Sequence, residues 1–156
     1  MTLRRPTRLP DFPYVGKYRY SLRFATHGRE RRFINNACVD AVATQIQRTA
    51  DEDRFAILAY CFMPDHLHLV VEGLGETSDL RRFAKVTKQR AAHVFRVTFK
   101  VPFLWQEGYY ERILRSDETT GLVVRYVFDN PVRAGLVVSP WEYPYSGGQF
   151  WSRSIA

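Results

Sequence analysis

Cysteine is scarce: Cys38 and Cys61 are the only two in 156 residues. Two thiols cannot build a disulfide framework or a thiolate zinc site, which excludes a cystine-stapled scaffold and a zinc ribbon. Both sit in apolar contexts and read as buried free thiols. Long hydrophobic runs are missing as well, and none approaches the roughly 20 residues that span a bilayer. Residues 1–13 carry basic side chains without the apolar stretch of a secretory signal. No membrane association is therefore expected, and the expected location is the cytoplasm. Internal repeats, low-complexity tracts and flexible linkers are absent, so residues 1–156 read as a single domain with one core. Residues 1–15 read as an irregular basic arm carrying Arg4, Arg5 and Arg8.

Acidic residues are outnumbered, 16 against 23 Lys and Arg, for a formal charge of +7. That balance favours a polyanionic partner, nucleic acid ahead of an anionic membrane surface. The hydrophobic fraction of 46% and aromatic fraction of 15% belong to a packed globular chain.

Hydrophobic patterning predicts the order β-α-β-β-α-β-α. Residues 17–26 alternate: Tyr18, Tyr20, Leu22 and Phe24 face one way, Lys17, Arg19, Ser21 and Arg23 the other. Asn35 or Asn36 is suited to cap a helix through Val39, Val42, Ala43 and Ile46. Residues 55–62 form a buried strand by composition, residues 63–65 a turn, and residues 66–72 the returning strand of a hairpin. Thr77 or Ser78 is expected to cap a second helix with the core stripe Leu80, Phe83, Ala84, Thr87, Ala91 and Phe95. Residues 103–114 read as extended with a kink at Gly108. Ser116, followed by two acids, opens a third helix that is expected to end near Phe128 or Asp129, because Pro131 disfavours helical dihedrals at Asn130. The aromatic segment 141–145 is expected to pack back on the body. This is an α+β, ferredoxin-like arrangement: a four-stranded antiparallel sheet with two helices on one face and an extra C-terminal helix.

The segment YCFMPDHLHLVVE, residues 60–72, is the richest in chemistry. In a strand, His66 and His68 share a face while Leu67, Leu69 and Val71 point the other way. Two imidazoles side by side are a bidentate platform for a divalent ion. A His-x-His pair is not specific by itself, and two ordinary surface histidines satisfy the same spacing. Neither a structural zinc set nor a His-Glu-x-x-His helix accompanies the pair. A site completed by an amide oxygen suits Mg²⁺ or Mn²⁺. Tyr126 and Asn130 share a helix face at i and i+4, so a tyrosine nucleophile and an amide ligand can both reach a metal over the sheet. On spacing alone, Tyr126 equally fits a tyrosine packed between helix and sheet, and Asn130 a residue at a helix end. There are nine tyrosines; Tyr109, Tyr110 and Tyr60 are the rivals.

The segment MPDHLHLVVE resembles the HUH motif of single-tyrosine transposases. LWQEGYYERIL and RYVFDNPVRAGLV, followed by WEYPYSG, resemble the REP-associated tyrosine transposase branch. The similarity runs from about Tyr18 to Ser146. The ordered set of His-x-His, Trp-Gln and Tyr-x-x-x-Asn-Pro-Val-Arg-Ala-Gly-Leu-Val carries it. The resemblance implies that His66 and His68 ligate the metal, that Tyr126 is the nucleophile and that Asn130 is the third ligand. More distant relatives place Gln at that last position, and Asn is one methylene shorter. The implied reaction is cleavage of single-stranded DNA with a covalent 5′-phosphotyrosine and a free 3′-hydroxyl, reversed by another 3′-hydroxyl. The implied substrates are imperfect hairpins of repeated extragenic palindromes in a bacterial nucleoid. Some relatives act as dimers and others as monomers, which leaves a homodimer open. The other reading is a catalytically silent or domesticated DNA or RNA hairpin-binding protein on the same fold.

A hairpin ligand needs phosphate contacts and seats for unpaired bases. Arg81, Arg82, Lys85 and Lys88 form a basic set on the second helix. Arg112, Arg115, Arg125 and Arg133 flank the nucleophile in sequence, and Trp105, Tyr109 and Tyr110 are candidates for stacking on bases. Each basic residue taken singly also fits a solvated helix face.

Overall fold

The computed structural model describes residues 12–151; Arg4, Arg5 and Arg8 lie outside the described residues. Strand β1 is Arg19–Ala25, helix α1 Asn36–Asp53, strand β2 Phe55–Met63 and strand β3 His66–Gly73. Helix α2 is Leu80–Thr98, strand β4 Tyr110–Leu114, helix α3 Asp117–Arg133 and strand β5 Ser146–Gly147. The sheet is antiparallel with order β4-β1-β3-β2-β5. Its first four strands have the expected ferredoxin-like order. The tail adds a fifth: Ser146 and Gly147 pair with Cys61 and Tyr60 and cover the β2 edge.

Helices pack on both faces of the sheet: β2 is buried on both sides, whereas β1 alternates between a buried apolar face and a polar one. On one face Tyr20, Leu22 and Phe24 of β1 and Leu67, Leu69 and Val71 of β3 meet Val39, Val42 and Ile46 of α1 and Phe83, Ala84 and Phe95 of α2. On the other, Leu58, Cys61, Met63 and Val70 meet Val124, Val127 and Phe128 of α3, together with Tyr143. Helices α1 and α2 therefore share one face, and α3 covers the face that carries His66 and His68. Between Ile57 and Ala59 the β2–β3 register shifts by one residue. This bulge brings Leu58 and Ala59 to the α3 side. Both cysteines are buried and unpaired.

Several boundaries differ from those expected. Asp79, not Thr77 or Ser78, caps α2, its carboxylate accepting from the Arg82 N–H at 3.2 Å. The Ser78 hydroxyl is engaged instead with the Arg54 carbonyl and the Gly75 N–H. Asn35 caps α1 and Ser116 caps α3. Of the extended residues 103–114 only Tyr110–Leu114 is a strand; Trp105 makes a single bridge to Thr26. The chain turns at Gly108, where φ is 75°.

Helix α3 runs past the predicted stop and includes Pro131. The last turn is closed by bonds to the carbonyls of Asn130, Pro131 and Val132, and proline lacks a donor, not an acceptor. Burial of the Pro131 ring offsets the lost N–H bond. Among the described residues no helix is long and apolar enough to cross a membrane.

Candidate active site

Helix α3 packs mainly on β2 and borders β3, to which it runs antiparallel. Its start is tied down by Arg19, which reaches Asp117 at 2.6 Å and Glu72 at 3.3 Å. Its end meets the start of β3, where Asn130 Nδ2 lies 3.3 Å from His66 Nε2. The two spans agree: the thirteen helical steps from Asp117 to Asn130 and the six strand steps from His66 to Glu72 each cover roughly 20 Å. This match sets the register of α3 on the sheet and brings the last part of the Tyr126–Asn130 face over the histidine pair.

The two imidazoles stand edge to face with ring centroids 4.9 Å apart. Each residue is only 9% exposed. Burial lowers both pKa values, most strongly for His68, where the neighbouring His66 and Arg23 add to the effect. Both rings are thus neutral at pH 7, the form that ligates metals. Asp65, read in the sequence only as a turn residue, holds His66 Nδ1 at 2.7 Å through Oδ1. Its other oxygen takes a bond from Arg29 Nε at 3.1 Å. Desolvation pushes the Asp65 carboxyl up, but the bonds and charges of His66 and Arg29 outweigh it and hold the pKa below the usual value. With Nδ1–H donated to Asp65, the lone pair of His66 sits on Nε2 and points at Asn130.

Among the described residues no group of three or more His, Cys, Asp or Glu surrounds one point. A metal here would be held by the two imidazoles and the Asn130 amide. The donor set fits: turning the Asn130 amide over aims Oδ1 toward the place that Nε2 faces. Two nitrogens and an amide oxygen leave positions for water and phosphate oxygens.

Tyr126 lies one turn before Asn130 on α3, and 58% of its surface is exposed. It opens on a cleft of about 540 Å³ between α3 and the sheet. Arg23, His68, Tyr110 and Arg112 line the sheet side, Leu122, Val123 and Val127 the helix side. Arg133 lies over the Tyr126 ring, its guanidinium carbon 3.8 Å from the centroid.

The candidate DNA-contacting residues divide into three groups. Arg112 and Arg133 adjoin the cleft. Arg115 and Arg125 are exposed at β4 and on α3. Arg81, Arg82, Lys85 and Lys88 are on α2, across the sheet from the histidines. There Arg81 covers the Tyr14 ring at 4.8 Å, Arg82 pairs with Asp53 at 3.2 Å, and Lys88 Nζ donates to the carbonyls of Gln106 and Gly108. Trp105 packs on Phe24 and Phe33 and donates its indole N–H to the Lys88 carbonyl. Tyr109 packs on Phe24, whereas Tyr110 faces the cleft. Asp65 and Arg23 went unrecognised as site residues in the sequence. Their only signals were an acid directly before the first histidine and an arginine on the polar side of β1.

Residues 14–130, which include both histidines, Tyr126 and Asn130, match the family model described as "Transposase IS200 like". A Haemophilus influenzae protein assigned as a REP-associated tyrosine transposase is 24% identical over 147 residues, 87% of this chain and 81% of its own length. A solved REP-associated tyrosine transposase bound to a REP hairpin superposes with a TM-score of 0.76 at 17% identity, covering 100% of this chain and 94% of that one. A structure assigned to a transposase of Deinococcus radiodurans R1 gives a TM-score of 0.56 at 21% identity, over 76% of this chain and 95% of that one. At these identities the two structures speak for the fold. The extent of the family match decides the rest: this chain belongs to the IS200-like transposase family.

Proposed function

We propose that this transposase cuts and rejoins single-stranded, hairpin-bearing DNA, with Tyr126 as nucleophile and a divalent metal, Mg²⁺ or Mn²⁺, held by His66, His68 and Asn130. One observation carries the reading: His68 and Tyr126 line the same cleft, and His66 meets Asn130 one turn further along α3. The hairpin preference follows from the relative solved with a REP hairpin.

A divalent metal held by His66, His68 and Asn130 would supply Lewis-acid stabilisation of charge on the scissile phosphate. Asp65 keeps His66 in the tautomer that presents Nε2, and the α3 register brings the Tyr126 phenol to the same cleft. The phenolate oxygen forms a bond to phosphorus as the bond from phosphorus to the 3′ oxygen breaks. The phenol proton is released to solvent, the departing oxygen takes a proton from solvent and leaves as a 3′-hydroxyl, and the 5′ phosphate stays on Tyr126. Attack by another 3′-hydroxyl reverses the step and releases the tyrosine. One phosphodiester is exchanged for another of similar energy, so no nucleotide cofactor is consumed.

The test is incubation of the protein with hairpin-bearing single strands and Mn²⁺, followed by a denaturing gel. The expected result is a metal-dependent cut with a free 3′-hydroxyl and a protein-blocked 5′ end. Tight hairpin binding with no cut under any divalent metal would favour the silent binding protein instead.

A further inference from the structure

Arg23 occupies a central place that neither its neighbours nor the sequence pattern explain. Strand β1 is interior to the sheet, and Arg23 stands directly opposite His68 on β3 and Tyr110 on β4. All three side chains line the cleft under Tyr126. Arg23 is half-buried, yet no carboxylate forms an ion pair with it among the described residues. Asp65, whose field favours its charge, is already bound to His66 and Arg29. A half-buried guanidinium without a counter-ion carries a desolvation cost that an incoming anion offsets. The other basic residues at the cleft are placed differently. Arg112 is exposed, and Arg133 is spent on Tyr126, donating to its carbonyl at 2.7 Å.

We propose that Arg23 is a catalytic residue that binds the non-bridging oxygens of the scissile phosphate between Tyr126 and His68. The inference rests on the reading of Tyr126 as nucleophile. Arg23 transfers no proton. Its planar fork takes the charge that accumulates on those oxygens while the bond from Tyr126 to phosphorus forms and the bond to the 3′ oxygen breaks. It therefore acts from the floor of the cleft, beside the metal site. Lysine supplies the charge but not the two parallel bonds.

The test uses the full chain and a hairpin-bearing strand whose cut site has been mapped with the unaltered protein. Arg23→Gln is expected to slow adduct formation by about 100-fold or more, with an unchanged melting temperature. A second measurement isolates the phosphate contact. In a Tyr126→Phe background without metal, the strand with its natural scissile phosphate is expected to bind about 10-fold tighter than one with a neutral methylphosphonate there. Adding Arg23→Gln is expected to erase that preference, and adding Arg23→Lys to keep most of it. Should Arg23→Gln unfold, Arg23→Lys decides: the proposal requires a slowed adduct together with a retained preference. Normal adduct formation by Arg23→Gln, or an undiminished preference in its presence, overturns the role of Arg23 and leaves Tyr126 untouched. No adduct from the unaltered protein overturns the nucleophile reading, and the role of Arg23 falls with it.

Discussion

Arg133 clasps Tyr126 from two sides: its guanidinium carbon lies 3.8 Å above the ring, and Nη2 donates to the Tyr126 carbonyl at 2.7 Å. Seven residues separate them, two turns of one helix, so the clasp is built into α3. It fixes the direction of an exposed phenol that has few packing partners of its own. Replacing Arg133 by alanine frees the ring and is expected to slow adduct formation about 10-fold at saturating DNA. Arg133→Lys is expected to recover little, because the guanidinium plane is what stacks. Single-turnover gels at saturating DNA check this; an unaltered rate for Arg133→Ala contradicts it.

The Asp65–His66 bond predicts a metal phenotype. Asp65→Asn keeps the shape but removes the charge that orients the imidazole, and is expected to weaken Mn²⁺ binding about 10- to 100-fold. Titration calorimetry on the DNA-free protein reads this directly. Equal affinity in the variant removes Asp65 from the account.

The buried histidines give the metal-free protein an acid-side weakness. Their pKa values in the folded state lie below the ordinary 6.5. As the pH falls below 6.5 the unfolded chain takes up protons that the native state refuses, so stability drops with falling pH until the folded values are passed. Asp65 acts lower down: its depressed pKa adds stability that is lost only as the pH falls below about 3.8. Urea melts between pH 7.5 and 5.5 are expected to show a falling midpoint, and His68→Leu to flatten the slope.

The sheet separates the α2 basic residues from the cleft, which predicts a division of labour. Removing Arg81, Arg82 and Lys85 together is expected to change adduct formation at saturating DNA by less than about twofold. Any loss should appear in affinity and in its salt dependence. A large loss of rate at saturation would show that α2 takes part in the cut.

The histidine pair was legible because strand alternation is a strict two-residue rule: with Leu67, Leu69 and Val71 in the core, His66 and His68 must face away. Tyr126 and Asn130 were legible as a pair through the i, i+4 rule, which holds because α3 continues through Pro131. Partners across strands were not legible. Nothing local to Arg23 says that it stands opposite His68, since register depends on where β1 and β3 start and end. The placement of the α2 cluster was not legible for the same kind of reason. A basic helix face is visible in sequence, but the side of the sheet it occupies is a matter of topology. Nor does the sequence show that Trp105 packs on Phe24 and Phe33.

Under the proposed function Tyr126 carries the DNA. The most direct measurement is mass spectrometry of the protease-digested covalent complex formed with a hairpin-bearing strand and Mn²⁺. A nucleotide 5′-phosphate is expected on the peptide containing Tyr126, and no adduct from Tyr126→Phe. A nucleotide found on Tyr109 or Tyr110, or an adduct persisting in Tyr126→Phe, would contradict it.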